Sequence, residues 1–504
     1  MKNKKQFALI AQRMSILALA LGLAACAVGP DFKSPAAPAM AKDSYTPTPM
    51  PSQTAATEGA SGVAQHFALG QDIPAQWWTL FHSAPLDGMI RAALAQSPNL
   101  ASAEAALRLA KENYRAQSGN LLYPAVSGQL GATRESVSAF QTGIPGGGIF
   151  NLYNASVNVS YTLDVFGASR RTLEGLQAAV EYQRFQLEGS YLALTANLVT
   201  AAVQEASLRA QLRATHEVLD ALKKQLAVIE KQFEFGAIPR ATLLSQRNQL
   251  ALAAASLPAL EKALALIQHQ LSVYAGKLPS EPGMPEFELA FLQLPSELPV
   301  SLPSALVRQR PDIRASEALL HEASAQIGVA TANQYPQFNL SGSYGVLSVG
   351  LKDMFSDGNL VWSLAAGLTQ PIFNGGALSA KRRAALAAYD QAAATYRMTL
   401  LTAFQNVADS LRALDSDAST LKAQTEVEAT AGEALALVTR QYQLGAVSYL
   451  VLLDAQRTYQ QAHITLVQAQ AARYSDTAAL FQALGGGWWN RPATDQAASP
   501  APQH

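Results

Sequence analysis

The amino-acid sequence predicts a mainly α-helical protein with a smaller β portion and an internal two-fold repeat. Three observations predict it. Two long stretches, 168–235 and 377–444, contain no proline and keep apolar residues at helical spacing. Four shorter stretches alternate between apolar and small or polar residues. Landmarks of the first half recur about 210 residues later in the second. Composition agrees: of the 504 residues 49% are hydrophobic, 15% charged and only 8% aromatic. Much of the apolar content is Ala and Leu, which suits long packed helices better than a large aromatic core.

The chain opens with Lys2, Lys4, Lys5 and Arg13, followed by residues 14–25, apolar except for Ser15. That run is too short to span a bilayer and has the form of a secretory signal. It ends in Leu23-Ala24-Ala25-Cys26, which holds the single cysteine of the chain. One cysteine excludes an intramolecular disulfide framework and a thiolate zinc cage. The ending resembles a bacterial lipobox, so residues 1–25 are expected to be a lipoprotein signal peptide and Cys26 the lipid attachment site. The alternative is a buried structural cysteine behind an ordinary signal peptide. Each buried acyl methylene contributes about 0.8 kcal/mol to anchoring. Ala27, in place of Asp, points to the outer membrane. Residues 1–25 hold four of the 37 basic residues and none of the 37 acidic ones, which leaves 33 against 37, a net charge of −4. No basic footprint for a nucleic-acid partner exists.

Residues 26–80, rich in Pro, Ala, Thr and Ser, are expected to be a lipid-anchored tether and equatorial segment. Two copies of one plan follow, 81–278 and 303–486, with a linker or equatorial segment at 279–302 and a disordered tail at 487–504. Pro98, Glu104 and Leu107 recur as Pro311, Glu317 and Leu320; Tyr123-Pro124 recurs as Tyr335-Pro336; Phe166 recurs as Phe373. Phe233-x-x-Gly236-Ala237 recurs as Tyr442-x-x-Gly445-Ala446, and Gly276 matches Gly485. Each copy begins with a helix (86–121; 303–334) that ends at a Tyr-Pro. Two alternating segments, a very long helix, a tight turn and a returning helix complete it. A run such as 168–235 would reach about 100 Å as a helix, a length suited to coiled-coil packing. Pro258 predicts a kink in the first returning helix.

The alternation places Val126, Gly128, Leu130 and Ala132 opposite Ser127, Gln129, Gly131 and Thr133. In the next segment Ala155, Val157, Val159, Tyr161 and Leu163 oppose Asn154, Ser156, Asn158, Ser160 and Thr162. Phe338, Leu340, Gly342 and Tyr344 alternate likewise, as do Leu360, Trp362, Leu364, Ala366 and Leu368. Such strands fit a soluble sandwich with a wet polar face, or a transmembrane barrel with lipid outside and a polar lumen. Four strands cannot close a barrel, and an open edge cannot sit in lipid. A barrel therefore needs several chains, and three would supply about twelve strands. The outer-membrane lipobox favours that reading. The loop Gly143-Ile144-Pro145-Gly146-Gly147-Gly148 is then an external hairpin; no Gly-Lys-Ser/Thr follows to make it a phosphate loop.

No catalytic constellation is present. The seven histidines lack ligand spacing, and neither a Gly-x-Ser-x-Gly elbow nor a dinucleotide fingerprint occurs. The turn at Gly445 is more informative. Gly445 suits a left-handed helix stop, and Ser448 suits the cap of the next helix. Leu450 and Asp454, four apart, share one face of that helix. They are either a core leucine and an N-terminal carboxylate, or an axial leucine ring and acidic ring in a symmetric trimer.

Together, Leu163-Asp164-Val165-Phe166-Gly167, Pro371-Ile372-Phe373-Asn374-Gly375-Gly376, Tyr442-x-x-Gly445 and Leu452-Leu453-Asp454-Ala455-Gln456-Arg457 carry a resemblance. The chain resembles the TolC/OprM-like outer membrane factor family, in its NodT-type efflux lipoprotein branch, over essentially the whole mature length. The resemblance implies a homotrimer with a 12-stranded transmembrane β-barrel and a long antiparallel coiled-coil helical barrel in the periplasm. It implies a passive export duct in the cell outer membrane, with a periplasmic adaptor protein and an inner-membrane RND-type transporter as partners. No cofactor is implied beyond lipid on Cys26. Leu450, Asp454 and Tyr442 fall on positions like the family's periplasmic gate. Gly236, Ala237, Gly445 and Ala446 fall on the tip turns that meet the adaptor. Val447 and Thr242 stand where TolC has an Arg and an Asp that tie the helices, and Gln441 stands where relatives often have Arg. The rival expectations are a coiled-coil scaffold lipoprotein without channel activity, and an envelope enzyme.

Overall fold

The computed structural model describes residues 27–36, 44–138, 140 and 148–491. The expectations for 1–25, Cys26, the loop 143–147 and the tail from 492 lie outside the described residues. In chain order the first elements are β1 (His66–Leu69), α1 (Ala84–Gln96), α2 (Pro98–Leu122), β2 (Ala125–Val137), β3 (Gly148–Leu163), α3 (Ala168–Glu234) and α4 (Arg240–Tyr274). Then come β4 (Glu297–Val300), α5 (Pro303–Gln309), α6 (Pro311–Ala332), β5 (Gln337–Ser348), β6 (Leu360–Thr369), α7 (Ala377–Gln443) and α8 (Tyr449–Ala483). Both long helices have 67 residues and both returning helices 35.

Proline corrects one expectation twice. The stretches 86–121 and 303–334 are each two helices, broken at Ser97 (φ −65°, ψ 119°) and Arg310 (φ −82°, ψ 124°). The ring of the following proline clashes with a helical conformation at both residues and holds them extended. Pro258, by contrast, lies inside an unbroken α4.

Two compact units divide the chain. The first comprises residues 27–35, 106–184 and 315–397. Its centre is an antiparallel sheet in the order β2-β3-β5-β6. The register sets Val126 opposite Val159, Val159 opposite Gly342, and Gly342 opposite Leu364. One step along, Gly128, Val157, Tyr344 and Trp362 share the same face. The apolar positions of all four strands therefore form one continuous face. The other face carries Ser127, Asn158, Ser343 and Ser363, with Ser343 Oγ 2.8 Å from Ser363 Oγ. Thr162 Oγ1 donates to Asn339 Oδ1 at 2.8 Å on that face. An N-terminal strap docks on this unit: Val28 N–H donates to the Phe166 carbonyl, Asp31 pairs with Arg171 at 2.6 Å, and Phe32 stacks on His321. A Cβ on Gly29 would stand 2.5 Å from Gly328 Cα, so the strap lies against bare backbone.

The second unit comprises residues 44–105, 185–314 and 398–491. Its core gathers Trp77, Trp78, Phe81, Ile90, Leu198, Leu298, Tyr474 and Phe481. Strands β1 and β4 pair in parallel beside it. Arg473 is fully buried and donates to the carbonyls of Ser61 and Val63, to Thr54 Oγ1 and to Gln65 Oε1. Part of the segment expected to be a tether is thus fastened by a buried guanidinium. Residues 487–491, expected to begin a disordered tail, are packed. Trp488 donates to the Gln309 carbonyl, Trp489 to Asp72, and Arg491 pairs with Glu188. Aromatic and charged partners far away in sequence hold them. Helix α4 is long and apolar enough to cross a membrane, yet Leu244, Leu252, Leu266 and Val273 on it are exposed.

Candidate gate at the helical tip

Two glycines turn the long helices back. Gly236 and Gly445 have φ of +72° and +74°, and a Cβ on either would meet nothing within 4 Å. Conformation alone, not crowding, requires glycine there. Both turns close with the same pair of bonds. Ala237 N–H reaches the Gln232 carbonyl at 2.8 Å and Gly236 N–H the Phe233 carbonyl at 2.9 Å. Ala446 N–H reaches Gln441 at 2.9 Å and Gly445 N–H reaches Tyr442 at 3.0 Å. This is the Schellman pattern, which satisfies the last carbonyls of a helix. Phe235 and Leu444, one residue before each glycine, are exposed apolar side chains.

Between the turns lies a small apolar cluster of Ile229, Leu243, Tyr449 and Leu452, with Tyr442, Leu435 and Val438 packed against it. The Tyr442 and Tyr449 rings meet edge to face at 5.8 Å. Burial pushes both phenols above the ordinary tyrosine range, and Tyr449 Oη has no hydrogen-bond partner among the described residues. Sequence reading placed Tyr442 here and missed Tyr449. The available signal was a break in the repeat, since the first copy has Arg240 at the equivalent place.

Leu450 and Asp454 lie outside the cluster. Leu450 is 65% exposed, Asp454 is exposed, and Leu452 between them is 2% exposed. Within one chain, then, Leu450 is not a core leucine. Ser448 occupies the N-cap position of α8, but its hydroxyl makes no capping bond. Val447, Thr242 and Gln441 make no side-chain hydrogen bond or ion pair with any described residue. Polar ties near the tip include Arg247 to Glu230 at 2.8 Å and Gln456 Nε2 to Gln225 Oε1 at 2.6 Å. No group of three or more metal-ligating side chains occurs among the described residues.

Comparison with known proteins gives a consistent result. The profile of a family described as outer membrane efflux protein matches residues 89–277 and 302–486. The pyoverdine export outer membrane protein OpmQ of Pseudomonas aeruginosa is 32% identical over 457 residues, covering 88% of this chain and 94% of that protein. The probable efflux pump outer membrane protein TtgC of Pseudomonas putida is 29% identical over 499 residues, covering 97% and 99%. The solved structure of the outer-membrane channel OprN superposes with a TM-score of 0.82 at 25% identity, covering 92% of this chain and all of that one.

Proposed function

The chain belongs to the outer membrane efflux protein family, whose members are transport proteins and not enzymes, and on that premise we propose that three copies form a passive export duct. The single observation that carries this reading is the sheet. It has one face that gathers the apolar positions of all four strands, an opposite face that is mostly small or polar, and edges at β2 and β6 that pair with nothing among the described residues. Lipid can solvate the apolar face, but not the open edges. Three copies joined edge to edge satisfy every backbone group and give about twelve strands around a wet lumen. The exposed leucines of α4 support the same arrangement, because neighbouring helices would cover them.

In this reading the duplicated halves (81–278 and 303–486) build a helical barrel below the membrane, with 26–80 and 279–302 around its waist. Cys26 carries the lipid. The tip is a gate: Tyr442 and Tyr449 hold α7 and α8 together, while Leu450 and Asp454 face the axis and narrow it. Gly236, Ala237, Gly445 and Ala446, flanked by exposed Phe235 and Leu444, receive a periplasmic adaptor. An inner-membrane RND-type transporter supplies the energy.

Purified protein should migrate in gels as a heat-modifiable trimer and open discrete channels in planar bilayers. Absence of both would leave the scaffold reading in place and overturn this one.

A further inference from the structure

A cavity of about 170 Å³ lies within the second unit where α3, α7 and α8 meet. Ala214, Val218, Leu222, Leu435 and Ile464 give it an apolar floor. An apolar cavity of about 150 Å³ holds one benzene ring, so the space suits a single-ring molecule. The rest of the wall is chemically distinct. Tyr459 and His463 lie nearly parallel, with ring centres 6.0 Å apart. Behind them Glu428 is already engaged, bonded to the Tyr459 phenol and 3.1 Å from His463 Nδ1. Glu217, on the wall formed by α3, is different. It is exposed and makes no hydrogen bond or ion pair with any described residue. No lysine or arginine lines the cavity.

An apolar floor of one-ring size, a free carboxylate and an aromatic face together match one chemical class. We propose that this cavity binds a monocyclic aromatic ammonium. The ring fills the apolar floor, and the ammonium pairs with Glu217 beside the electron-rich face of Tyr459. A neutral ring of the same size gains only the floor. The site lies within one chain and does not depend on how the tip is gated.

The test uses purified full-length protein in detergent, titrated calorimetrically at neutral pH with benzylamine and, separately, with toluene. Blank titrations into detergent alone correct for partitioning. Benzylamine should saturate at one equivalent per chain, and toluene should bind more weakly. Glu217→Gln should weaken benzylamine about threefold, as expected for an exposed ion pair. Ala221→Trp, at an exposed position on the cavity rim, should abolish binding while the melting temperature stays unchanged. Equal affinity in wild type and Glu217→Gln, equal affinity for benzylamine and toluene, undiminished binding in Ala221→Trp, or no saturable binding would each overturn the proposal.

Discussion

Two leucines separated by a single residue on α8 should respond oppositely to truncation. Leu450 is 65% exposed and Leu452 is 2% exposed, within the cluster of Ile229, Leu243 and Tyr449. Truncating an exposed side chain usually changes stability by no more than about 0.5 kcal/mol. Truncating a buried leucine leaves a cavity and costs about 2–5 kcal/mol. Leu450→Ala combined with Asp454→Ala should therefore leave thermal unfolding where it was. If the pair faces the axis, the change removes an apolar ring and an acidic ring at one level, and single-channel conductance should rise severalfold. Leu452→Ala should instead lower the melting temperature and loosen the turn without being part of the constriction itself. Both readouts come from the same purified protein, in planar bilayers and by calorimetry. Unchanged conductance in the double variant would sink the gate assignment. A stability loss in Leu450→Ala as large as that in Leu452→Ala would show that Leu450 is packed, and would refute the reasoning from exposure.

Four further outcomes follow from particular residues. Gly445→Ala should cost about 1–2 kcal/mol, the penalty of a side chain at positive φ in open space. Gly485→Ala should cost more in urea unfolding, because at φ +96° the new Cβ would also stand 2.7 Å from the Gln309 carbonyl oxygen. Asp417 is pushed up to about 7 by burial and by the neighbouring Asp476, against the pull of Arg473. The folded state therefore holds this proton more tightly than the unfolded chain. The stability it contributes is full below about pH 4 and is lost as pH rises through about 7. Asp417→Asn should flatten that part of the stability profile measured by pH-dependent melting. Cys26→Ser should abolish incorporation of labelled palmitate while the strap contacts at Asp31 and Phe32 remain; continued labelling would refute Cys26 as the attachment site.

The strands and long helices were legible in the sequence because each obeys one period over many residues. Val126 to Ala132 alternate without a break, the even positions of 360–368 are apolar against mostly small or polar odd ones, and 168–235 and 377–444 contain no proline. The turns were legible because Gly236 and Gly445 are required by conformation alone, which is a local matter. What escaped reading depends on partners distant in sequence. Trp488 and Arg491 are ordered by Gln309 and Glu188, and Tyr449 acquires a role only when α3, α4 and α7 pack around it. Local steric rules were misweighed in one case: Ser97 and Arg310 precede prolines, yet helical periodicity on both sides hid the break.

Two unrelated elements of the chain are incomplete in the same sense. The sheet ends in unpaired backbone at β2 and β6, a matter of hydrogen bonds. Helix α4 presents Leu244, Leu252, Leu266 and Val273 to solvent, a matter of apolar area. Among the described residues no strand is left to pair with either edge, and nothing covers these side chains of α4. On the proposed reading, copies related by rotation about one axis would supply both at once, since each edge would then meet the opposite edge of its neighbour. A scaffold lipoprotein could tolerate either deficiency through some other partner. It has no reason to carry both on elements separated by α3, with the mostly polar face of the sheet available to line a lumen.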